Sequence, residues 1–254
     1  MATNVRLIGG YDSDLATATS SSGTASGYDV TNVVTLDRSS LWVSSVTTSI
    51  VLHLDFGSAK TINCFALANH NGGGWTTALL QTSPDNSAWT TKVTLSGMTS
   101  GYDWYGEFDP AVSVQYVRLT IASATAAPQV GIFYAGDRTT LTYNPWIGFD
   151  SDDVYNVEKK AAQSGAVVAE QWGRQLTRYG MRWEVVETTA KDQLRDFLRT
   201  EGGPLRPFFY VPREDSTTTT QGRAYVVRMV DESFRAKEIF GGLWAMSVDL
   251  QEEV

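Results

Sequence analysis

Between residues 49 and 56 apolar and polar positions alternate. Ile50, Leu52, Leu54 and Phe56 fall on one face of an extended chain, and Val51, His53 and Asp55 on the other. Four more β-rich runs follow, at 62–68, 77–82, 113–121 and 130–136, each bounded by Gly, Ser, Asn or Asp. No helical period interrupts them. Short strands spaced by such turns predict an antiparallel β-sandwich or jelly roll of about 130 residues. The small, polar stretch 16–27 and the threonine run 217–220 read as loops.

The pattern changes further along. Residues 172–187 end in a strand that puts Met181, Trp183 and Val185 on one face and Arg182, Glu184 and Val186 on the other. Thr189-Ala190-Lys191-Asp192 is a capping-box helix start, and Ala190, Leu194, Phe197 and Leu198 form one stripe before Gly202-Gly203-Pro204. This predicts one helix over 189–201. After it come strands at 207–212, 224–230, 233–240 and 243–250, with a polar turn at 213–222. One helix with four apolar residues cannot make a core alone, so it is expected to plug the open side of a curled sheet.

Charge locates the division. Of 20 Lys and Arg and 28 Asp and Glu in 254 residues, five and ten lie before Arg138 and fifteen and eighteen from Arg138 on. Charged residues thus rise from about 11% to about 28%, which separates a domain at 1–138 from one at 139–254. The net charge of −8 argues against a nucleic-acid or anionic-membrane footprint. One cysteine, Cys64, excludes an internal disulfide, and with only His53 and His70 beside it the usual zinc cages are excluded too. No run is long and apolar enough to insert in a membrane, and the start lacks the apolar stretch of a secretory signal, so synthesis and folding in a cytosol are expected.

The catalytic inventory is thin. No nucleotide-binding glycine pattern, nucleophile elbow or zinc-protease motif occurs, and Cys64 sits in an apolar strand where a thiol is inert. Asp12/Asp14, Asp152/Asp153 and Glu214/Asp215 sit in turn-like polar stretches, and Asp150-Ser151-Asp152-Asp153 lacks the Gly and distal Glu of a calcium loop, which leaves a solvated turn. The expectation is a protein that is not an enzyme and holds no cofactor or metal. Binding is the alternative, and loops at one end of a sandwich are its usual place. Asn69-His70-Asn71-Gly72-Gly73-Gly74-Trp75 and Ser100-Gly101-Tyr102-Asp103-Trp104-Tyr105 offer residues that stack on sugar rings and bond hydroxyls, which makes His70, Trp75, Tyr102 and Trp104 the candidate ligand contacts. The competing reading makes Trp42, Trp75 and Trp89 core or rim aromatics, His53 a sheet residue and His70 a loop hydrogen-bonder.

Two resemblances add to this. Ser40-Leu41-Trp42, Leu52-His53-Leu54-Asp55-Phe56-Gly57, Gln81-Thr82-Ser83-Pro84-Asp85-Asn86-Ser87-Ala88-Trp89, Gln115-Tyr116-Val117-Arg118-Leu119 and Ile132-Phe133-Tyr134-Ala135-Gly136 occur in the order of the discoidin, or coagulation-factor type C, domain. The likeness covers about residues 28–137 and implies a galactose-binding-like jelly roll that binds glycans, lipids or proteins through variable loops. The disulfide common in that family is absent here. Over 140–254, a strand ending in Trp183-Glu184, a short helix, Gly202-Gly203-Pro204-Leu205-Arg206-Pro207-Phe208-Phe209-Tyr210 and a last strand with Trp244, Met246, Val248 and Leu250 resemble the tail-tube-like domains of long-tailed bacteriophages, distal tail and minor tail proteins among them. Those proteins commonly place the ring domain first; here it comes second. The fold class expected is therefore mainly β, a jelly roll followed by a tail-tube-like β-sandwich or barrel with one helix. The function implied is a structural component of the virion tail, made in the host cytoplasm. It would form a trimeric or hexameric ring through residues 139–254, contact other tail proteins and touch host-surface glycan. The alternative is a soluble carbohydrate-binding module or lectin.

Overall fold

The computed structural model describes residues 4–9, 16–95, 98–145, 150–154, 157–161, 167–171, 176–200, 203–212, 221–230 and 234–253. In chain order they form β1 (Arg6–Ile8), β2 (Thr17–Ser20), β3 (Trp42–Val43), β4 (Thr48–Ala68), β5 (Trp75–Ser83), β6 (Thr90–Thr94), β7 (Asp103–Ala124), β8 (Gln129–Val130), β9 (Ile132–Gly136) and β10 (Arg138–Thr140). Then follow β11 (Asp150–Val154), β12 (Val157–Ala161), β13 (Val167–Gln171), β14 (Leu176–Glu187), the helix α1 (Thr188–Thr200), β15 (Phe208–Val211), β16 (Gln221–Met229), β17 (Arg235–Phe240) and β18 (Leu243–Glu252). The fold is mainly β, as the sequence pattern predicts. Asp12, Asp14, Glu214, Asp215 and 217–220 lie outside the described residues.

Most of the strands stack as three layers, while β3 with β8 and β12 with β13 form separate two-stranded ladders. The outer sheet pairs β2, β4, β7, β5 and β6 in turn, with Leu54 opposite Val117 and Leu80 opposite both Leu119 and Val93. The middle sheet is built from the far halves of the same long strands, β9 beside residues 64–68 of β4 and β7 at 104–107, and it is extended by residues 221–224 of β16. Register shifts between Asp55 and Lys60 and between Ile62 and Cys64 bend β4 from one sheet into the other, and Gly57 supplies a positive φ at the first bend. The runs 49–56 and 62–68 are therefore one strand. The third sheet runs β10, β1, β15, β16, β18, β14, β11, with β17 beside β18.

Each gap between layers is an apolar core. Leu52, Leu54, Ile121 and Leu80 meet Phe65, Leu67, Phe133 and Trp42 between outer and middle sheets. Cys64, Ala66, Ala68, Tyr105, Ile132, Tyr134 and Ala224 of the middle sheet meet Ile8, Phe209, Val211 and Val226 of the third. On the far side of the third sheet, Ala190, Leu194, Phe197 and Leu198 of α1 cover Leu7, Met181, Trp183, Phe208, Val227 and Leu250. The helix plugs the sheet as its stripe predicts.

Three local expectations change. Residues 17–20, read as part of a loop, form β2, because residues 52–55 of β4 offer ladder partners and Ala18 drops into the core. Asp150–Val154 is an edge strand on β14 and not a turn, a place where sheets tolerate charge. A bulge between Trp183 and Val186 reverses the alternation of β14, so Val186 is buried (2%) and Val185 exposed (59%). The sequence pattern does not single out β1, which pairs with β10 and β15 and so lies in the third sheet, away from the strands that follow it in sequence.

Candidate ligand-binding loops

At the end of β4 the chain turns at Asn69, whose φ is positive. Its backbone N–H donates to Asp103 Oδ1 at 3.1 Å and its Nδ2 to the Arg38 carbonyl at 2.8 Å. His70 is buried, 5% exposed, and its Nδ1 accepts the Gly72 N–H at 3.1 Å. Burial, reinforced by the nearby Arg38 charge, lowers its pKa to about 4, so the ring is neutral at pH 7. Half-buried Trp75 donates from Nε1 to Asn71 Oδ1 at 3.0 Å, with its ring 5.9 Å from that of His70. Two of the three glycines let this loop touch the next: a Cβ on Gly72 would stand 2.6 Å from Met98 Cε, and one on Gly73 3.3 Å from the Ser100 backbone nitrogen.

The second loop leads into β7. Tyr102 is 45% exposed, whereas Trp104, two residues on, is 3% exposed and packs in the sandwich core. Asp103 between them points the other way, into the junction of the sheets. It pairs with Arg38 at 2.9 Å and accepts the Val226 N–H at 3.3 Å, while Arg38 also donates to the Glu253 carbonyl at 3.0 Å. Desolvation raises the Asp103 pKa against the pull of Arg38. Residues of both halves of the chain thus build this end of the molecule. Thr99, Tyr102, Asp103, Trp104, Gly222 and Arg223 line a cavity of about 120 Å³ there.

The structure therefore brings His70, Trp75, Tyr102 and Trp104 to one end of the sandwich on two touching loops. His70 and Trp104 are enclosed and support the loops, while Tyr102 and part of Trp75 face outward. Arg223 escaped the sequence reading. It stands opposite Trp104 in the β16–β7 ladder, with its guanidinium 3.9 Å over the Tyr102 ring and 4.6 Å over that of Tyr225. No local signal links it to residues so far back in the chain; the pairing alone brings them together.

A second polar cluster lies on the outer sheet. Thr19, His53, Arg118, Gln81 and Thr91 stand opposite one another across five strands. Arg118 Nε donates to Gln81 Oε1 at 2.7 Å, Gln81 Nε2 donates to Thr91 Oγ1 at 2.9 Å, and the guanidinium lies 4.1 Å from the Trp89 ring centre. His53 stacks on Tyr116 and meets Trp89 edge-on. Arg118, Gln81 and Thr91 satisfy one another and cover the sheet, while the buried His53 Nε2 has no hydrogen-bond partner among the described residues. Cys64 is fully buried and burial pushes its thiol pKa far up, which keeps it unreactive. Among the described residues no group of His, Cys, Asp and Glu is placed to hold a metal ion, and no helix is long and apolar enough to cross a membrane.

Residues 16–133 match the F5/8 type C domain. No curated protein matches the chain. Solved structures similar to it include CpGH89CBM32-5 from Clostridium perfringens in complex with GalNAc-β-1,3-galactose, at 14% identity and a TM-score of 0.44 over 50% of this chain and 98% of that one. The family 32 CBM from C. perfringens NanJ in complex with galactose gives 13% identity and 0.43 over 52% and 99%. Chitosan-binding module 1 of the chitosanase/glucanase from Paenibacillus sp. IK-5 gives 21% and 0.42 over 48% and 96%.

Proposed function

We propose that this protein is a structural component of a bacteriophage tail that assembles through its second half, contacts surface glycan through the loop end of its jelly roll, and has no catalytic role. The observation that carries the assembly is β17. All six of its residues are exposed, Phe240 at 80%, and among the described residues it pairs only with β18. Ile239, Leu243 and Val185 add apolar surface. Open backbone groups beside apolar side chains are what sheet extension by another chain requires. A two-fold pairing of β17 with itself centred on the middle of the strand would set Lys237 or Glu238 opposite its own copy, which is repulsive. Among the described residues β11 is the edge beyond β14, and its sequence carries Asp150, Asp152 and Asp153, while β17 carries Arg235 and Lys237. Head-to-tail pairing of β17 with β11 of the next copy joins opposite charges, and such heterologous contacts make rings where the rotation closes.

Glycan contact is supported by the F5/8 type C match over the jelly roll and by the outward face of Tyr102. Light scattering on the purified chain should find a trimer or hexamer that Phe240→Asp dissociates, and negative-stain images should show rings; a monomer at every concentration overturns the assembly. The second reading, a free-standing carbohydrate-binding module or lectin, is favoured by the same family match, and it is the reading left standing by a monomer that scores on a glycan array.

A further inference from the structure

The cavity at the lip of the jelly roll is small and rich in donors. Trp104 is nine-tenths buried, and its indole Nε1 has no hydrogen-bond partner among the described residues. An unpaired buried donor is costly unless a ligand or water meets it. Directly opposite in the ladder, exposed Arg223 makes no ion pair among the described residues. Its flat face is taken by Tyr102 and Tyr225, which leaves its N–H edges free. The one carboxylate in the lining, Asp103, is already held by Arg38 and by the backbone N–H groups of Asn69 and Val226, so it is not Arg223's counter-ion. Indole and guanidinium are donors only, and together they ask for an acceptor, best an anionic one.

Volume narrows the ligand. The cavity, about 120 Å³ and open to solvent on one side, takes a carboxylate and the first atoms behind it. A sugar ring carrying that carboxylate lies at the mouth, where exposed Tyr102 offers an aromatic wall. We propose that this cavity seats the carboxylate of an acidic sugar, with Arg223 and the Trp104 Nε1–H as its donors, so that the glycan face is made jointly by both halves of the chain. The inference rests on the glycan reading above and adds the ligand's charge to it. Uronic and sialic acids share the required group.

The test is calorimetric titration of the full chain with an oligogalacturonate, sialyllactose and neutral lactose at low salt. At least one acidic sugar should bind on the order of tenfold to a hundredfold more tightly than lactose, the worth of a charge-assisted hydrogen bond; which one it is identifies the source of the carboxylate. Arg223→Gln should abolish that preference, bringing the acidic sugar's affinity down to that of lactose measured on the same variant. In the unmodified protein the indole N–H resonance of Trp104 should move with the acidic sugar and not with lactose, a readout that needs no variant. Equal affinity for charged and neutral sugars, a preference that survives Arg223→Gln, or an unmoved indole resonance overturns the inference and leaves the glycan reading standing. Failure of all three sugars to bind overturns both.

Discussion

His70 shows how a loop histidine becomes a pH-dependent support. Its Nδ1 must be unprotonated to accept the Gly72 N–H, and burial with Arg38 nearby lowers its pKa from an ordinary 6.5 to about 4. The unfolded chain therefore takes up this proton first as pH falls. The contribution of the neutral ring is intact above about pH 6.5 and is lost progressively down to pH 4, amounting to roughly 3 kcal/mol at most. Asp103 and Glu107, whose pKa values desolvation raises, act in the opposite direction as they protonate. A comparison isolates the histidine: between pH 7 and 5 the melting temperature should fall less for His70→Asn than for the parent. Parallel slopes would show that the ring is not the titrating group. The residue types at this end of the sandwich were legible in the sequence, but their exposure was not. Trp104 and Tyr102 are two apart in one strand-opening segment and should share a face; yet one packs in the core and the other stands in solvent, because the strand begins only at Asp103.

At the scale of elements, β14 and α1 make a contrasting pair. The helix follows its 3.6-residue stripe closely, and all four stripe residues are buried beneath it. Leu194→Ala, at a fully buried position, should cost about 2–5 kcal/mol in urea denaturation. The strand obeys its period of two only as far as Trp183, where the bulge inserts a residue. Alternation read from the sequence makes Val185 the core residue, but the bulge makes it Val186. Val186→Ala should therefore cost about 1–3 kcal/mol, while Val185→Ala should stay within roughly 0.5 kcal/mol. Equal effects of the two would contradict the bulge. A bulge is set by the partner strand β18 and the helix that follows, so it leaves little trace in the local pattern. The same holds for β1, three residues whose partners lie at 138–140 and 209–211.

For the whole molecule, the sparse charge of the first half has a structural cause. Its middle sheet is covered on both faces, by the outer sheet on one side and by the third sheet on the other. Such strands need continuous apolar runs instead of alternation. The contrast is visible in the sequence itself: polar side chains alternate through 50–56, whereas Cys64-Phe65-Ala66-Leu67-Ala68 and Ile132-Phe133-Tyr134-Ala135-Gly136 contain no charge and are wholly buried. The runs were legible as strands, but what covers their second face is supplied by Ile8, Phe209, Val211 and Val226. The polar margin of the same junction is equally shared. Glu107 of β7 pairs with Arg6 of β1 at 2.7 Å and with Arg138 of β10 at 3.2 Å, and all three side chains are largely buried. Neither half can part from the other without exposing this apolar layer and stranding Glu107 and Asp103, an uncompensated burial or exposure of several kcal/mol per ion pair. The full chain should accordingly melt in one calorimetric transition. Phe209→Ala, in the layer between middle and third sheets, should lower that single transition for both halves, with a cost of about 3–5 kcal/mol. A fragment spanning 16–137 should bind hydrophobic dye and self-associate, since it bares Ala66, Ala68, Tyr105 and Ile132. If that fragment instead remained a monomer with the parent's melting temperature, or if Phe209→Ala split the calorimetric peak in two, the halves would be independent and the joint loop end described above would come apart with them.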